Sequence, residues 1–166
     1  MTIHLHDEAG YVAAKRPLFE AIQLVLCGHG RADADVCLVF LSDEEIRSLN
    51  RQFRGEDRVT DVLSFPNERG GACAEAAGAE SRPYLGDIIV AHAHVQDLAQ
   101  QERQPVEDWL LLLVVHGTLH LLGYHHEEED AQEEMWQVQA RALSQLGICE
   151  ESIERMIQSS LQRSQS

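Results

Sequence analysis

Lysine is almost missing from this chain: of 13 basic side chains all but Lys15 are arginine, and they face 28 acidic ones. A formal charge of −15 argues against indiscriminate binding to nucleic acid, since phosphate contacts need local cations. Also lacking is any apolar stretch long enough to cross a bilayer. The opening residues MTIHLHDEAG have no basic segment followed by an apolar run, and so do not read as a secretory signal. The four cysteines, Cys27, Cys37, Cys73 and Cys149, are scattered and form no C-x-x-C pair. That argues against a cysteine zinc site or a disulfide framework and fits free thiols in a reducing compartment, so the cytoplasm is the expected location. Residues 1–166 show no repeat and no second compositional regime, and are expected to form a single domain.

What is present is unevenly placed. Acid concentrates in Glu127–Glu134, while Arg47, Arg51, Arg54 and Arg58 lie close together. Arginine offers a planar fork suited to phosphate, so one basic groove can exist on an acidic protein. Alternation predicts strands at Ile3–His6, Asp35–Leu41, Val59–Phe65 and Leu85–Ala91. Helical spacing predicts helices at Ala14–Leu26, from Ser42, at His94–Glu102, from Pro105 to Gly123, at Glu128–Leu146 and at Glu151–Leu161. Ser42–Glu45 has the form of a capping box, opening a helix expected to bury Leu49 and Phe53. Asn67–Arg82, rich in Gly, Ala and Glu, is expected to be a surface loop. The helix carrying WLLLLVVHGTLHLL is apolar nearly all round and is expected to be the central one. The order of elements predicts an α+β domain: a small mixed four-stranded sheet packed with five or six helices.

The chemistry concentrates in His116-Gly-Thr-Leu-His120-Leu-Leu-Gly123-Tyr-His125-His126. Residues four apart lie one turn above each other on a helix, so His116 and His120 can offer nitrogens to a single ion, as in the metal helix of the zincins. Gly123 suits a sharp helix end that can return His126 as a third ligand. Three histidines plus one open position describe a catalytic zinc; a structural site is usually closed by a fourth protein ligand. A single such histidine would read as a hydrogen-bonded core residue; the trio reads as a site for one divalent ion, with Zn2+ expected. The spacing equals that of the metzincin proteases, but Gly117 stands where their general-base glutamate follows the first histidine. The ligands therefore point to a hydrolase, and the missing glutamate points away from a peptidase.

The stretch HGTLHLLGYHH resembles the signature H-G-x-L-H-L-x-G-Y-D-H of the YbeY endoribonucleases. Leu49-Asn50, Phe53-Arg54-Gly55, Thr60–Pro66 (TDVLSFP) and Leu85–Ile88 (LGDI) resemble further blocks of that family, in the same order. The resemblance implies a metal-dependent endoribonuclease that cuts single-stranded ribosomal RNA during rRNA maturation and ribosome quality control. It makes the ribosome or its small subunit the expected partner, with neither membrane nor DNA expected. It aligns His116, His120 and His126 with the metal ligands and Arg54 with a functional arginine. A guanidinium there can clamp a scissile phosphate and stabilise developing charge, with Arg51 and Arg58 as neighbouring substrate contacts.

Two departures stand out. His125 replaces the aspartate before the last histidine, where it can orient a ligand or compete with His126 for the ion. Val59 replaces a proline, which is expected only to loosen a turn. Asp61 and Asp87 are candidates for orienting a metal-bound histidine, and equally for capping turns. His92 and His94 would point to opposite faces of a continued strand and do not suggest a second metal. His4, His6 and His29 read as surface residues, and Trp109 and Trp136 as core. The alternatives to a nuclease are a ribosome-associated assembly factor with a structural metal and a metallohydrolase of another phosphoester.

Overall fold

The structure is a computed structural model that describes residues 1–67 and 82–164, with side chains through residue 162. Most of the expected Asn67–Arg82 loop lies outside the described residues. Four strands form one sheet in the order β1-β2-β4-β3: β1 (Ile3–His6), β2 (Asp35–Leu41), β3 (Val62–Pro66) and β4 (Tyr84–Ala91). β1, β2 and β4 run parallel, and β3 pairs antiparallel with β4. The helices are α1 (Arg16–Gly28), α2 (Asp43–Arg54), α3 (His92–Glu102), α4 (Val106–Leu121), α5 (Glu129–Gln145) and α6 (Glu150–Ser164). The mixed sheet with six helices is the α+β arrangement the sequence predicts.

β4 is apolar along nearly its whole length because both of its faces are covered. Ile88 and Val90 pack into the main core with α4, while Ile89 and Ala91 pack with Leu63 and Ile46 on the side of α2. α4 is the central helix. Trp109, Leu112 and Leu119 are fully or almost fully buried on it, each side chain contributing about 1.5–3 kcal/mol of hydrophobic stabilisation. It touches α1, α3 and α5 as well as β3 and β4. Gly117 allows that closeness: a Cβ there would stand 2.7 Å from Ile88 Cγ2 and 3.1 Å from Ser64 Oγ.

α2 opens as expected, with Ser42 Oγ accepting from the Glu45 amide at 3.4 Å and the Glu45 carboxylate accepting from the Ser42 amide at 2.9 Å. It closes at Gly55 and so presents Arg54 at its last turn. Phe53 departs from expectation: it is 59% exposed, its ring set edge-on to Phe65 at 5.1 Å. Ile46, about two turns earlier, takes the buried position instead.

Three further differences are local. β3 starts at Val62, not Val59, because the Asp61 carboxylate accepts from the Val62 amide at 2.9 Å and ends the preceding turn. α3 starts at His92, whose ring is buried and stacked on Tyr11. His29 is half-buried and bridges the Val25 carbonyl and the Tyr124 hydroxyl. Cys27 and Cys149 are free and exposed, but Cys37 is disulfide-bonded, so the expectation of four free thiols fails there.

Candidate metal centre

α4 ends in a turn that does two jobs. The Gly123 amide donates to the His120 carbonyl and the Tyr124 amide to the Leu119 carbonyl, the paired bonds of a Schellman motif. Gly123 sits at φ 94°, a conformation that side-chain-bearing residues rarely adopt. The chain then reverses and brings His126 back beside the helix, its ring 5.0 Å from that of His120 and 5.6 Å from that of His116. The same turn aims the Tyr124 carbonyl at His120, whose Nδ1 donates to it at 2.9 Å.

One ligand nitrogen from each of His116, His120 and His126 lies within 4.8 Å of the others. The His116 Nδ1 is held by the Gln139 side-chain oxygen at 3.1 Å. With Nδ1 the donor on both rings, the Nε2 atoms of His116 and His120 carry bare lone pairs, and they face each other at 3.0 Å. Two such lone pairs repel unless a cation lies between them. The donor set therefore fits a metal ion, with each ring fixed from behind by a hydrogen bond, as is usual for metal-ligating histidines.

Burial pushes His116 down to about 4, helped by the neighbouring charges of His126 and Arg54 and opposed by Gln139. Burial, then His116 and His126, push His120 down to about 3. Both rings are thus neutral and ready to bind at physiological pH. The folded protein takes up these protons at a lower pH than the unfolded chain, whose histidines titrate near 6.5. Stability is therefore complete above about pH 6.5. It falls as pH drops towards 4 and then 3, because the unfolded chain binds these protons first. Urea titrations of metal-free protein between pH 8 and 4 should show this loss, and a flat profile would contradict it.

Beside the three rings opens a cleft of about 420 Å³, with Arg54, Arg58, Asp61 and Ser64 on one side and Trp136 and Gln139 on the other. Arg54 makes no salt bridge among the described residues, while Arg58 is engaged by Glu56 at 2.8 Å. Arg51 is exposed and does not line the cleft. Asp61 lines it, but its carboxylate accepts from the Val62 amide. Asp87 is buried in β4 and accepts from the Tyr84 hydroxyl. His125 points into a separate hollow with Glu134. The groups that hydrogen-bond His116 and His120 from behind are Gln139 and the Tyr124 carbonyl. Gln139 went unnoticed because it lies on a distant helix. The signal was there: it is a polar residue, 3% exposed, on the apolar stripe of α5 with Met135, Ala142 and Leu143. Trp136 is half-buried and faces the cleft, which corrects its reading as a core residue.

A mixed sheet carrying a buried helix with three convergent imidazoles, next to an open cleft, defines a metal-binding hydrolase of α+β type. Comparison with known proteins narrows this class. The family model described as Endoribonuclease YbeY matches residues 13–147, and the chain belongs to that family. It is 31% identical over 151 residues to the Endoribonuclease YbeY of Francisella tularensis, covering 91% of each chain. It is 42% identical over 115 residues to that of Rhizobium meliloti, covering 69% of this chain and 66% of the other. The solution structure of TM1509 from Thermotoga maritima superposes with a TM-score of 0.60 at 32% identity, covering 87% of this chain and 89% of that one.

Proposed function

We propose that this single YbeY-like domain is a metal-dependent endoribonuclease that cuts single-stranded ribosomal RNA during rRNA maturation and ribosome quality control. One observation carries the reading: three imidazoles converge where the cleft also receives Arg54, a guanidinium without a salt-bridge partner among the described residues. Zinc is the metal we assign, since three neutral histidine nitrogens suit it and no fourth histidine, cysteine or carboxylate joins the group among the described residues. When bound, the ion would supply Lewis acidity towards a phosphoryl oxygen and lower the pKa of a water.

The chain's own residues do the rest. His116, His120 and His126 hold the ion, and Gln139 and the Tyr124 carbonyl fix two of those rings. Arg54 clamps the scissile phosphate and offsets the negative charge that grows on it during in-line attack. Arg58 flanks that position, and Arg51, on the outer surface of α2, contacts phosphate further along the strand. Gly117 places no carboxylate near the ion, so peptide hydrolysis of the metzincin type has no base here. The negative net charge supports targeting through the ribosome or its small subunit, which would supply the cations this chain lacks. No described helix is long and apolar enough to cross a membrane. The cytoplasm is the location we assign on the free, exposed thiols Cys27 and Cys149, although the bonded Cys37 counts against a reducing compartment.

The test compares Arg54→Ala with Arg51→Ala on a single-stranded RNA substrate. Loss of a charge-stabilising donor in the site should lower kcat about 100- to 1000-fold. Loss of Arg51 should chiefly weaken binding and flatten its salt dependence. Equal, small effects from both would remove Arg54 from the reaction.

A further inference from the structure

The cleft beside the metal centre has two unlike walls. One is polar and comes from the end of α2 and the approach to β3, with Arg54, Arg58, Thr60 and Asp61. The other comes from α5 and α6 and sets the apolar side chains of Trp136, Ile157 and Leu161 among the uncharged Gln132, Gln139 and Ser160. Phosphate chemistry uses the first wall; on the second, Gln139 serves the proposed reaction by holding His116, and the indole of Trp136 has no part in it.

Trp136 is the decisive residue on that wall. On α5 the core is served by Met135, Gln139, Ala142 and Leu143. Trp136 instead shares a cleft-facing stripe with Gln132, one turn before it. It is half-buried, unlike Trp109, which is fully buried in α4. An indole half-open to a cleft offers a rigid π face at small entropic cost. Nucleobases stack on such faces whatever their sequence, because every base has a π face of its own. The cleft volume of about 420 Å³ lies in the range of small-molecule pockets and has room for an unpaired nucleotide.

We infer that Trp136 is the stacking platform for an unpaired nucleobase next to the bond that is cut, while Arg54 holds the phosphate on the opposite wall. This deepens the nuclease reading and rests on it. The subsite makes the strand's unpaired state a condition of binding, because a base can turn onto the indole only after leaving its own stack.

The experiment measures kcat and KM of the metal-loaded, full-length protein and its Trp136→Ala and Trp136→Phe variants. The substrates are a short single-stranded RNA and copies of it with one abasic position at each nucleotide around the cut. Trp136→Ala should raise KM about 10- to 100-fold with kcat little changed, and Trp136→Phe should recover most of it. One abasic position should cause a comparable loss in the wild type and little further loss in Trp136→Ala, since the two changes remove the same contact. RNA should also quench tryptophan emission in the wild type but not in Trp136→Phe, which retains Trp109. An unchanged KM in Trp136→Ala, or abasic penalties as large in the variant as in the wild type at every position, overturns the subsite alone. If Trp136→Ala does not fold, the quench decides: none in the wild type at saturating RNA overturns the subsite. A wild type that neither binds nor cuts RNA overturns the nuclease reading together with the subsite.

Discussion

Replacing His120 with alanine will empty the metal site and lower RNA cleavage by about a thousandfold or more, a larger loss than the 10- to 100-fold typical of removing an outer hydrogen-bond partner. His120 Nε2 lies 3.0 Å from His116 Nε2, so its removal takes away one of two tightly converging donors and leaves only two imidazoles. It also strands the Tyr124 carbonyl, which costs about 1–3 kcal/mol if that group is left without water. Metal content by mass spectrometry, cleavage of single-stranded RNA and circular dichroism should be measured on the same samples. Gln139→Ala provides the graded comparison, expected to weaken metal affinity about 10- to 100-fold with the ligands intact. Metal and activity lost with the fold preserved would support the hydrolase. Metal lost together with the fold, with no cleavage even by the wild type, would favour an assembly factor with a structural ion. Full cleavage by metal-free protein would sink the mechanism.

Substituting Gly117 should damage the protein more than its place on a well-formed helix suggests. A Cβ at that position would lie 2.7 Å from Ile88 Cγ2 and 3.3 Å from Ile88 Cγ1, with Ser64 Oγ at 3.1 Å. In an exposed helix, alanine would be about 1 kcal/mol better than glycine. Here the overpacking of α4 against β4 should outweigh that gain and leave Gly117→Ala about 1–3 kcal/mol less stable. Gly117→Glu adds a buried carboxylate and should cost about 4 kcal/mol or more, most of the stability of a marginal domain. Thermal melts of Gly117→Ala, Ile88→Ala and the double variant test the cause. The double variant should be more stable than the sum of the single effects predicts, because truncating Ile88 makes room for the new methyl. Wild-type stability in Gly117→Ala would refute the close approach. The absence of a protease-type base is thus tied to helix–sheet packing as well as to chemistry.

Much of this site could be read from residue order because much of it is local. His116, His120, Gly123 and His126 relate through helical spacing and one turn, and both obey simple rules. The capping box of α2 and the buried character of α4 were legible for the same reason. What stayed hidden depends on contacts between distant segments. Gln139 meets His116 across two packed helices, and the cleft-facing stripe of Trp136 exists only once α6 and the approach to β3 are in place. Phe53 fits the helical period of a buried position yet lies outside the covered part of the α2 face. Asp61 accepts from the Val62 amide and Asp87 from the Tyr84 hydroxyl, contacts that residue type alone does not give. Residue type announced that carboxylates were present; only the fold decides what they reach.

The Schellman turn at Gly123 has a consequence for how the protein assembles. All three imidazoles lie on one short stretch, so bringing them together closes only a small loop and forfeits little chain entropy. The cleft is different: its walls come from α2, β3, α5 and α6, and it exists only when remote parts of the chain have docked. The metal ligands therefore need far less of the chain to be ordered than the cleft does: one helix end and one turn bring three imidazoles together, whereas a polymer meets its groove only across four separate elements.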